Sequence, residues 1–161
     1  MGAVHIVTGE VNAGKTTRMR ELYRQTAAAD GILSEKRLSW EGCCGYQLVH
    51  LRSGETMTLA LPEMAYHGQF TLACRLGPFV FSQEAFRFAS EALARLSADP
   101  CISAIFLDEA GPLELRGQGY AGALPALLRS GKELYITVRT GCLQAFIHTY
   151  GIARYQLIPV P

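Results

Sequence analysis

The residues with the clearest chemical role form one short stretch near the start of the sequence. Residues 9–16 match the pattern G-x-x-x-x-G-K-[ST] at every fixed position, and they follow the apolar run 3–7. Glycines let successive backbone N–H groups turn towards an anion, and the N-terminus of the following helix adds a partial positive charge. A glycine-rich turn with a solvent-facing lysine would not require lysine and threonine directly after the second glycine. The stretch therefore predicts a phosphate-binding loop.

In such a loop the lysine reaches the β- and γ-phosphates, and the hydroxyl group of the next residue binds Mg²⁺. We therefore assign Lys15 to phosphate binding and catalysis, and Thr16 to the metal. The predicted nucleotide-binding residues are Gly9, Glu10, Val11, Asn12, Ala13, Gly14, Lys15, Thr16 and Thr17.

Two adjacent carboxylates follow a second apolar run. Residues 102–107 have the composition of a buried strand, and Asp108 and Glu109 come directly after it. Because ligands of such folds bind at the carboxyl ends of the strands, we assign Asp108 to Mg²⁺ through water. Glu109 is then placed to orient or deprotonate the attacking water. An acidic pair that caps a helix N-terminus is the alternative, and the intact phosphate loop favours the catalytic interpretation.

Three further charged residues are candidates for the same site. Arg139 follows the apolar strand 134–138 at the same sheet edge, and we predict that it stabilises charge during catalysis. Arg37 is interpreted either as a phosphate-facing residue or as a solvated arginine at a strand end. Glu114 is interpreted as a cap or a brace for the loop after Asp108.

The other polar and aromatic residues do not indicate a second type of site. Trp40 and Tyr46 are interpreted either as residues that stack on a base or as hairpin packing. The five cysteines include no C-x-x-C spacing and indicate reduced thiols of a cytosolic protein. Zinc is not predicted, because no metal-ligand spacing connects the four histidines, His5, His50, His67 and His148.

Strands and helices alternate along the chain, which indicates an α/β fold. The predicted strands are residues 4–7, 32–38, 45–51, 57–61, 79–81, 102–107, 134–138 and 155–158. The predicted helices are residues 15–28, a helix between Ser82 and Asp99, residues 119–129 and residues 143–150. Asp30 and Gly31 are expected to form a turn, and residues 62–77 a loop. Strands 45–51 and 57–61 are expected to form a hairpin. Because helices separate most strands, we expect a mostly parallel sheet.

Length and composition limit the class of protein. A chain of 161 residues with 49% hydrophobic and 18% charged residues predicts a single globular domain over residues 1–161. The net charge of +1 indicates neither nucleic-acid nor membrane partners. The first apolar run is only strand-sized, so neither a signal peptide nor a transmembrane helix is expected, and we predict a cytoplasmic protein.

Several motifs together resemble one known family. Residues 107–115, LDEAGPLEL, are similar to a D-E-I-G-x-x-E-L signature, and residues 30–37 followed by Gly45-Tyr46 are similar to a D-G-F-x-T-E-E-V-R segment followed by G-F. Residues 77–81 and 84–86 are similar to the strand and helix opening of the same family. The chain thus resembles the nucleoside-triphosphatase family that contains a thermophile enzyme and a human cancer-related member.

This resemblance implies a three-layer, RecA-like P-loop fold with a β-hairpin insertion. It also implies slow, Mg²⁺-dependent hydrolysis of ATP, GTP and other nucleoside triphosphates to diphosphate and phosphate. Carried over by motif position, Lys15 and Thr16 hold phosphate and metal, Asp108 holds the metal, and Glu109 acts on the water. The loop departs from the family in one respect, since residues 10–12 are Glu-Val-Asn where the family has Pro-Pro-Gly.

Two other functions use the same motifs. A nucleotide or small-molecule kinase would transfer the phosphate to an acceptor if its pocket excluded water. A nucleotide-dependent binding switch would use slow hydrolysis to time a partner interaction. The sequence has no [NT]-K-x-D motif, which disfavours a guanine-specific switch.

Overall fold

The computed structural model describes residues 2–40 and 42–160. Within these residues nine strands form one sheet, in the order β5-β6-β4-β3-β2-β7-β8-β1-β9. The strands are β1 (Val4–Gly9), β2 (Ala29–Ser39), β3 (Gly42–His50), β4 (Thr56–Pro62), β5 (Leu72–Leu76), β6 (Phe79–Ser82), β7 (Ala104–Ala110), β8 (Glu133–Arg139) and β9 (Gln156–Pro159). The helices are α1 (Lys15–Gln25), α2 (Gln83–Ala98), α3 (Pro112–Leu115), α4 (Leu124–Arg129) and α5 (Leu143–Thr149), with 3₁₀ turns at Glu63–Ala65 and Thr140–Cys142.

Helices cover both faces of the sheet, which gives the three layers that the family resemblance implied. Alternate residues of β7 show this, because Phe106 belongs to one buried cluster, with Met19 of α1, and Leu107 to the other, with Leu93 of α2. A strand that is buried on both faces needs an apolar residue at every position. Residues 104–107 meet this requirement, since all four are buried.

The expectation of a mostly parallel sheet holds for only half of it. In the described part of the chain β2, β7, β8, β1 and β9 pair in parallel, whereas β2-β3, β3-β4, β4-β6 and β6-β5 pair antiparallel. Parallel neighbours need a long crossover, whereas short turns join antiparallel strands. The short connections between β2 and β6 therefore produce an antiparallel half, and the predicted hairpin, β3 with β4, belongs to it.

The prediction that Asp30 and Gly31 form a turn was wrong. Helix α1 ends at Gln25, and β2 already begins at Ala29. A Cβ atom on Gly31 would overlap the backbone of Phe106, so the close approach of β7 requires glycine here. The carboxylate of Asp30 accepts the backbone N–H groups of Gly31 and Arg52. These contacts satisfy a polar residue inside a strand.

The prediction of a loop over residues 62–77 was also wrong. The segment contains the 3₁₀ turn Glu63–Ala65 and the edge strand β5. Strand β5 joins β6 through the two-residue turn of Gly77 and Pro78, in which Gly77 has φ 56°. Glycine in this position suits a tight hairpin, and it is this pairing with β6 that makes β5 a strand.

The helix predicted for residues 119–129 is shorter than expected. It is α4, which begins at Leu124 and has Pro125 in its first turn, where a missing N–H group costs nothing. The short helix α3 was not predicted. Helix α2 agrees with its prediction, because Ser82 Oγ accepts the N–H of Ala85 at 3.1 Å. No helix among residues 2–40 and 42–160 combines the length and the apolar character needed to span a bilayer.

Candidate functional site

The predicted phosphate loop connects the end of β1 to the start of α1. Two of its residues have positive φ, Asn12 at 63° and Gly14 at 93°. Asparagine and glycine tolerate this conformation better than other residues. The N–H of Ala13 donates to the carbonyl of Glu10 at 3.1 Å, which closes the loop at the N-terminus of the helix. Residues 11–17 line one cavity of about 580 Å³.

The ammonium group of Lys15 lies against this loop. The residue is 5% exposed, and Nζ donates to the carbonyl oxygens of Gly9 at 3.2 Å and of Glu10 at 2.7 Å. A buried cation must be compensated by acceptors. The two carbonyls are neutral acceptors, so a phosphate anion in the adjoining cavity would be a stronger partner for Nζ.

Thr16 and Asp108 meet although they are far apart in the sequence. Oγ1 of Thr16 donates to Oδ2 of Asp108 at 2.7 Å, and the N–H of Ser34 donates to the same oxygen at 3.1 Å. The other oxygen, Oδ1, accepts the hydroxyl of Thr137 at 2.7 Å. Asp108 is fully buried. These three donors orient the carboxylate beneath the phosphate loop.

Burial determines the acid–base character of Asp108. Loss of solvent, followed by the charge of Glu109, raises its pKa from 3.8 to about 6. The hydrogen bonds from Thr137, Thr16 and Ser34 oppose this increase. A divalent cation nearby would favour the ionised carboxylate.

The residues at this position fit a magnesium ion. Hydroxyl and carboxylate oxygens are the hard donors that Mg²⁺ prefers, and Mg²⁺ in phosphate sites uses few protein ligands, completed by water and phosphate. Thr16 lines the phosphate cavity, whereas Asp108 lies behind it. In the described part of the chain no three His, Cys, Asp or Glu side chains form a metal-binding group. Thr16 could therefore hold such an ion directly, and Asp108 could hold it through water.

Glu109 occupies an unusual backbone position. Its φ is 63°, and the pairing of β7 with β8 shifts register between Leu107 and Ala110. Such a bulge redirects a side chain at the end of a strand, and positive φ in a residue other than glycine costs about 1–2 kcal/mol. The N–H of Glu109 donates to Oγ1 of Thr137 at 2.6 Å. This contact holds the strained residue in place.

Arg139 and Glu114 lie beside Glu109. Arg139 ends β8 and, like Glu109, borders the cavity at the phosphate loop. Glu114 is 2% exposed, and its carboxylate accepts the N–H groups of Gly111 at 2.6 Å and Tyr120 at 3.1 Å. Burial raises the pKa of Glu114, and the two N–H groups and Arg139 partly offset the increase. Glu114 thus braces the segment that follows Asp108, as the sequence predicted.

Several other candidates lie away from this site. Arg37 is exposed and borders a separate depression with Met57 and Thr58, so it does not face the phosphate loop. The side chains of a strand alternate between its faces, and the preceding residue, Lys36, lines the loop cavity instead. Trp40 is 93% exposed.

The histidines and cysteines show no sign of a metal site among the described residues. His5 stacks on Tyr135 and contacts Glu133, and His50 contacts Asp30. Cys74 is buried. The side chain of Cys43 lies outside the described residues.

Sequence reasoning missed residues that reach the site from distant strands. Thr137 and Ser34 carry no motif, and their contacts with Asp108 arise only from the pairing of β7 with β8 and β2. One signal in the sequence could have identified Thr137. It is a polar residue within the otherwise apolar run of β8. Arg20 and Glu35 form an ion pair at the edge of the phosphate cavity.

The chain matches the family model described as NTPase over residues 4–157. This match spans nearly the whole sequence. The chain belongs to the NTPase family. It is therefore a hydrolase, as the sequence predicted.

Individual relatives agree with the family assignment. The nucleoside-triphosphatase THEP1 of Pyrococcus abyssi is 31% identical over 137 residues, which is 82% of this chain and 72% of that protein. The crystal structure of THEP1 from Aquifex aeolicus has a TM-score of 0.69 at 19% identity, over 99% of this chain and 90% of that one. The solution structure of a human cancer-related nucleoside triphosphatase also has a TM-score of 0.69 at 19% identity. This match covers 100% of this chain and 89% of that one. The two solved structures confirm the fold.

Proposed function

We propose that this member of the NTPase family hydrolyses ATP, GTP and other nucleoside triphosphates in a Mg²⁺-dependent reaction. One observation carries the proposal. The Thr16–Asp108 pair, with its 2.7 Å hydrogen bond, lies directly beneath the loop that holds Lys15. Glu109, the next residue, borders the same cavity. Phosphate, metal and water therefore each have a candidate partner within one cavity.

The roles follow from the positions of these groups. The N–H groups of the loop and Nζ of Lys15 bind the β- and γ-phosphates, and Lys15 exchanges its carbonyl acceptors for phosphate oxygens. Thr16 and Asp108 would hold Mg²⁺, which when bound neutralises phosphate charge. Glu109 orients or deprotonates the water that attacks the γ-phosphorus. Arg139 faces the charge that develops on the transferred group.

A phosphate-release assay over the common ribonucleoside and deoxyribonucleoside triphosphates tests this proposal. Each triphosphate is measured with Mg²⁺ and with excess EDTA. We expect phosphate release from triphosphates with different bases, because among the described residues the cavity is lined mainly by the phosphate loop and charged side chains. Release should be lost in EDTA. No release from any triphosphate in the presence of Mg²⁺ would reject hydrolysis and favour the nucleotide-dependent binding switch.

A further inference from the structure

A second cavity of about 300 Å³ adjoins the phosphate cavity, and its character is different. Four aromatic rings from the antiparallel half of the sheet and from α2 form much of its wall, and these are Tyr46, Phe79, Phe81 and Phe86. Tyr46 meets Phe79 edge to face, with ring centroids 5.2 Å apart, and Phe81 stacks on Phe86, with ring centroids 5.9 Å apart. Apolar, aromatic walls with a few polar groups are typical of sites for small organic molecules.

Tyr120, which borders this cavity, carries a buried hydroxyl group of an unusual kind. The residue lines the cavity and is 2% exposed, and its hydroxyl has no hydrogen-bond partner among the described residues. Nearly all buried polar groups in proteins have such a partner. Burial and the charges of Glu114, Asp108 and Glu109 raise the pKa of Tyr120 well above its usual value, so the hydroxyl stays neutral and can donate. A polar atom of a bound molecule would satisfy it.

The two cavities share the lining residues Val11, Ser34, Tyr46, Glu109 and Arg139. Lys15 and Thr16 line only the phosphate cavity, and Tyr120 lines only the aromatic one. A molecule among the aromatic rings would therefore approach the phosphate site from the side of Glu109. The nucleotide phosphates would lie in the neighbouring cavity, beside Lys15 and Thr16.

We propose that the aromatic cavity binds a second substrate, an uncharged ring compound with a hydroxyl group, which accepts the γ-phosphoryl group. The ring lies among the aromatic side chains, and a polar ring atom pairs with Tyr120. In the transfer step the hydroxyl oxygen bonds to the γ-phosphorus, the bond from that phosphorus to the β,γ-bridging oxygen breaks, and the hydroxyl proton passes to Glu109. The products are a phosphate monoester and the nucleoside diphosphate. This inference rests on the proposed nucleotide site and adds an alternative to water.

Binding is tested first with three probes, benzyl alcohol, pyridoxine and uridine. Each is titrated calorimetrically into the protein, alone and saturated with the non-hydrolysable analogue AMP-PNP and Mg²⁺. We expect at least one probe to bind in both conditions, with affinities that agree within about threefold or tighten with nucleotide. Competition between probe and AMP-PNP would overturn the proposal, because the aromatic cavity would then be part of the nucleotide site. Failure of all three probes to bind would also overturn it.

Transfer is tested with ATP labelled in the γ-phosphate, by separating labelled ester from free phosphate. The ratio of ester to phosphate should rise with probe concentration and saturate. Tyr120→Phe removes only the hydroxyl and should lower this ratio about three- to tenfold at low probe concentration. Loss of one hydrogen bond weakens affinity by about this factor. Tyr150→Phe is the matched control, because its hydroxyl donates to the carbonyl of Glu114 at 2.8 Å and the residue does not line the cavity.

The outcomes separate this inference from the proposed hydrolysis. Phosphate release without any ester leaves the hydrolase in place and overturns the second substrate. Ester formation that Tyr120→Phe and Tyr150→Phe change equally would place the acceptor outside this cavity and also overturn it. A protein that forms neither phosphate nor ester fails both proposals.

Discussion

Thr137 and Asp108 are joined by a 2.7 Å hydrogen bond between neighbouring parallel strands, from Oγ1 to Oδ1. The same Thr137 oxygen accepts the N–H of Glu109 at 2.6 Å. One buried hydroxyl thus orients the carboxylate assigned to the metal and also the backbone that carries the proposed base. We infer that Thr137 positions both groups without contacting the nucleotide.

Thr137→Val tests this role, because it keeps the shape of the side chain and removes the hydroxyl. The N–H of Glu109 and Oδ1 of Asp108 would each lose a partner, so the free energy of unfolding should fall by about 1–3 kcal/mol. Loss of such a supporting contact at a metal site lowers activity about 10–100-fold, and kcat measured at saturating Mg²⁺ checks this. Thr137→Ser retains the hydroxyl and should restore most of kcat. Parental kcat in Thr137→Val would contradict the positioning role.

Lys15→Ala should lose nucleotide binding together with activity. A charge-assisted contact with phosphate contributes about 2 kcal/mol or more, which corresponds to an affinity at least about thirtyfold weaker. Titration calorimetry with a non-hydrolysable triphosphate measures this affinity. Arg18→Ala is the control, since Arg18 lies on the same helix and pairs with Glu21 at the surface. Equal affinity in folded Lys15→Ala and parent would reject the phosphate assignment.

Asp108→Asn should shift the Mg²⁺ requirement, because Asp108 is assigned to the metal and Glu109 to the water. The Mg²⁺ concentration for half-maximal phosphate release should rise about tenfold or more. The amide can still accept from Ser34 and Thr16, which keeps the local fold. Asp99→Asn, at the end of α2, should leave the titration unchanged. Superimposable Mg²⁺ curves for Asp108→Asn and the parent would mean that the metal is held elsewhere.

Glu109→Gln should separate turnover from binding. It retains size and hydrogen bonding but removes the base, and general bases contribute about 10²–10⁴ in rate. We expect kcat to fall at least about tenfold. Triphosphate affinity should hold within a few-fold or tighten, because the carboxylate no longer repels the γ-phosphate. Hydrolysis at the parental rate by Glu109→Gln would exclude this residue as the base.

The buried carboxylate of Glu114 should make stability depend on pH. Its pKa is raised in the folded protein, mainly by burial, so the folded state binds its proton more tightly than the unfolded state does. The contribution of Glu114 to stability is therefore greatest below pH 4.5 and decreases as the pH rises through the raised value. Urea unfolding of the parent and of Glu114→Gln from pH 4.5 to 8 measures it, since other titrating groups cancel in the difference. We expect the parent's excess in free energy of unfolding over Glu114→Gln to shrink with rising pH. An excess that grows with pH would contradict the raised pKa.

The sequence alone determined the features that depend on neighbours in the chain. The phosphate loop, its strand and its helix are local, because glycine conformations and the helix N-terminus lie within residues 4–25. The apolar run before Asp108 predicted a buried strand, and Ser82 predicted the start of α2. The motif resemblance predicted the family. The roles assigned to Lys15 and Glu109 stay predictions until variants are measured.

Only the tertiary structure decided which distant groups meet. Thr16 and Asp108 are separated by 92 positions, and Ser34 and Thr137 reach the same carboxylate from two other strands. No local pattern encodes strand order or register, because both depend on how the sheet buries its two faces. The same applies to the strand pairing of β5 and to the contact that requires Gly31 beside Phe106. Long-range packing therefore set the geometry around residues whose types the sequence had already made visible.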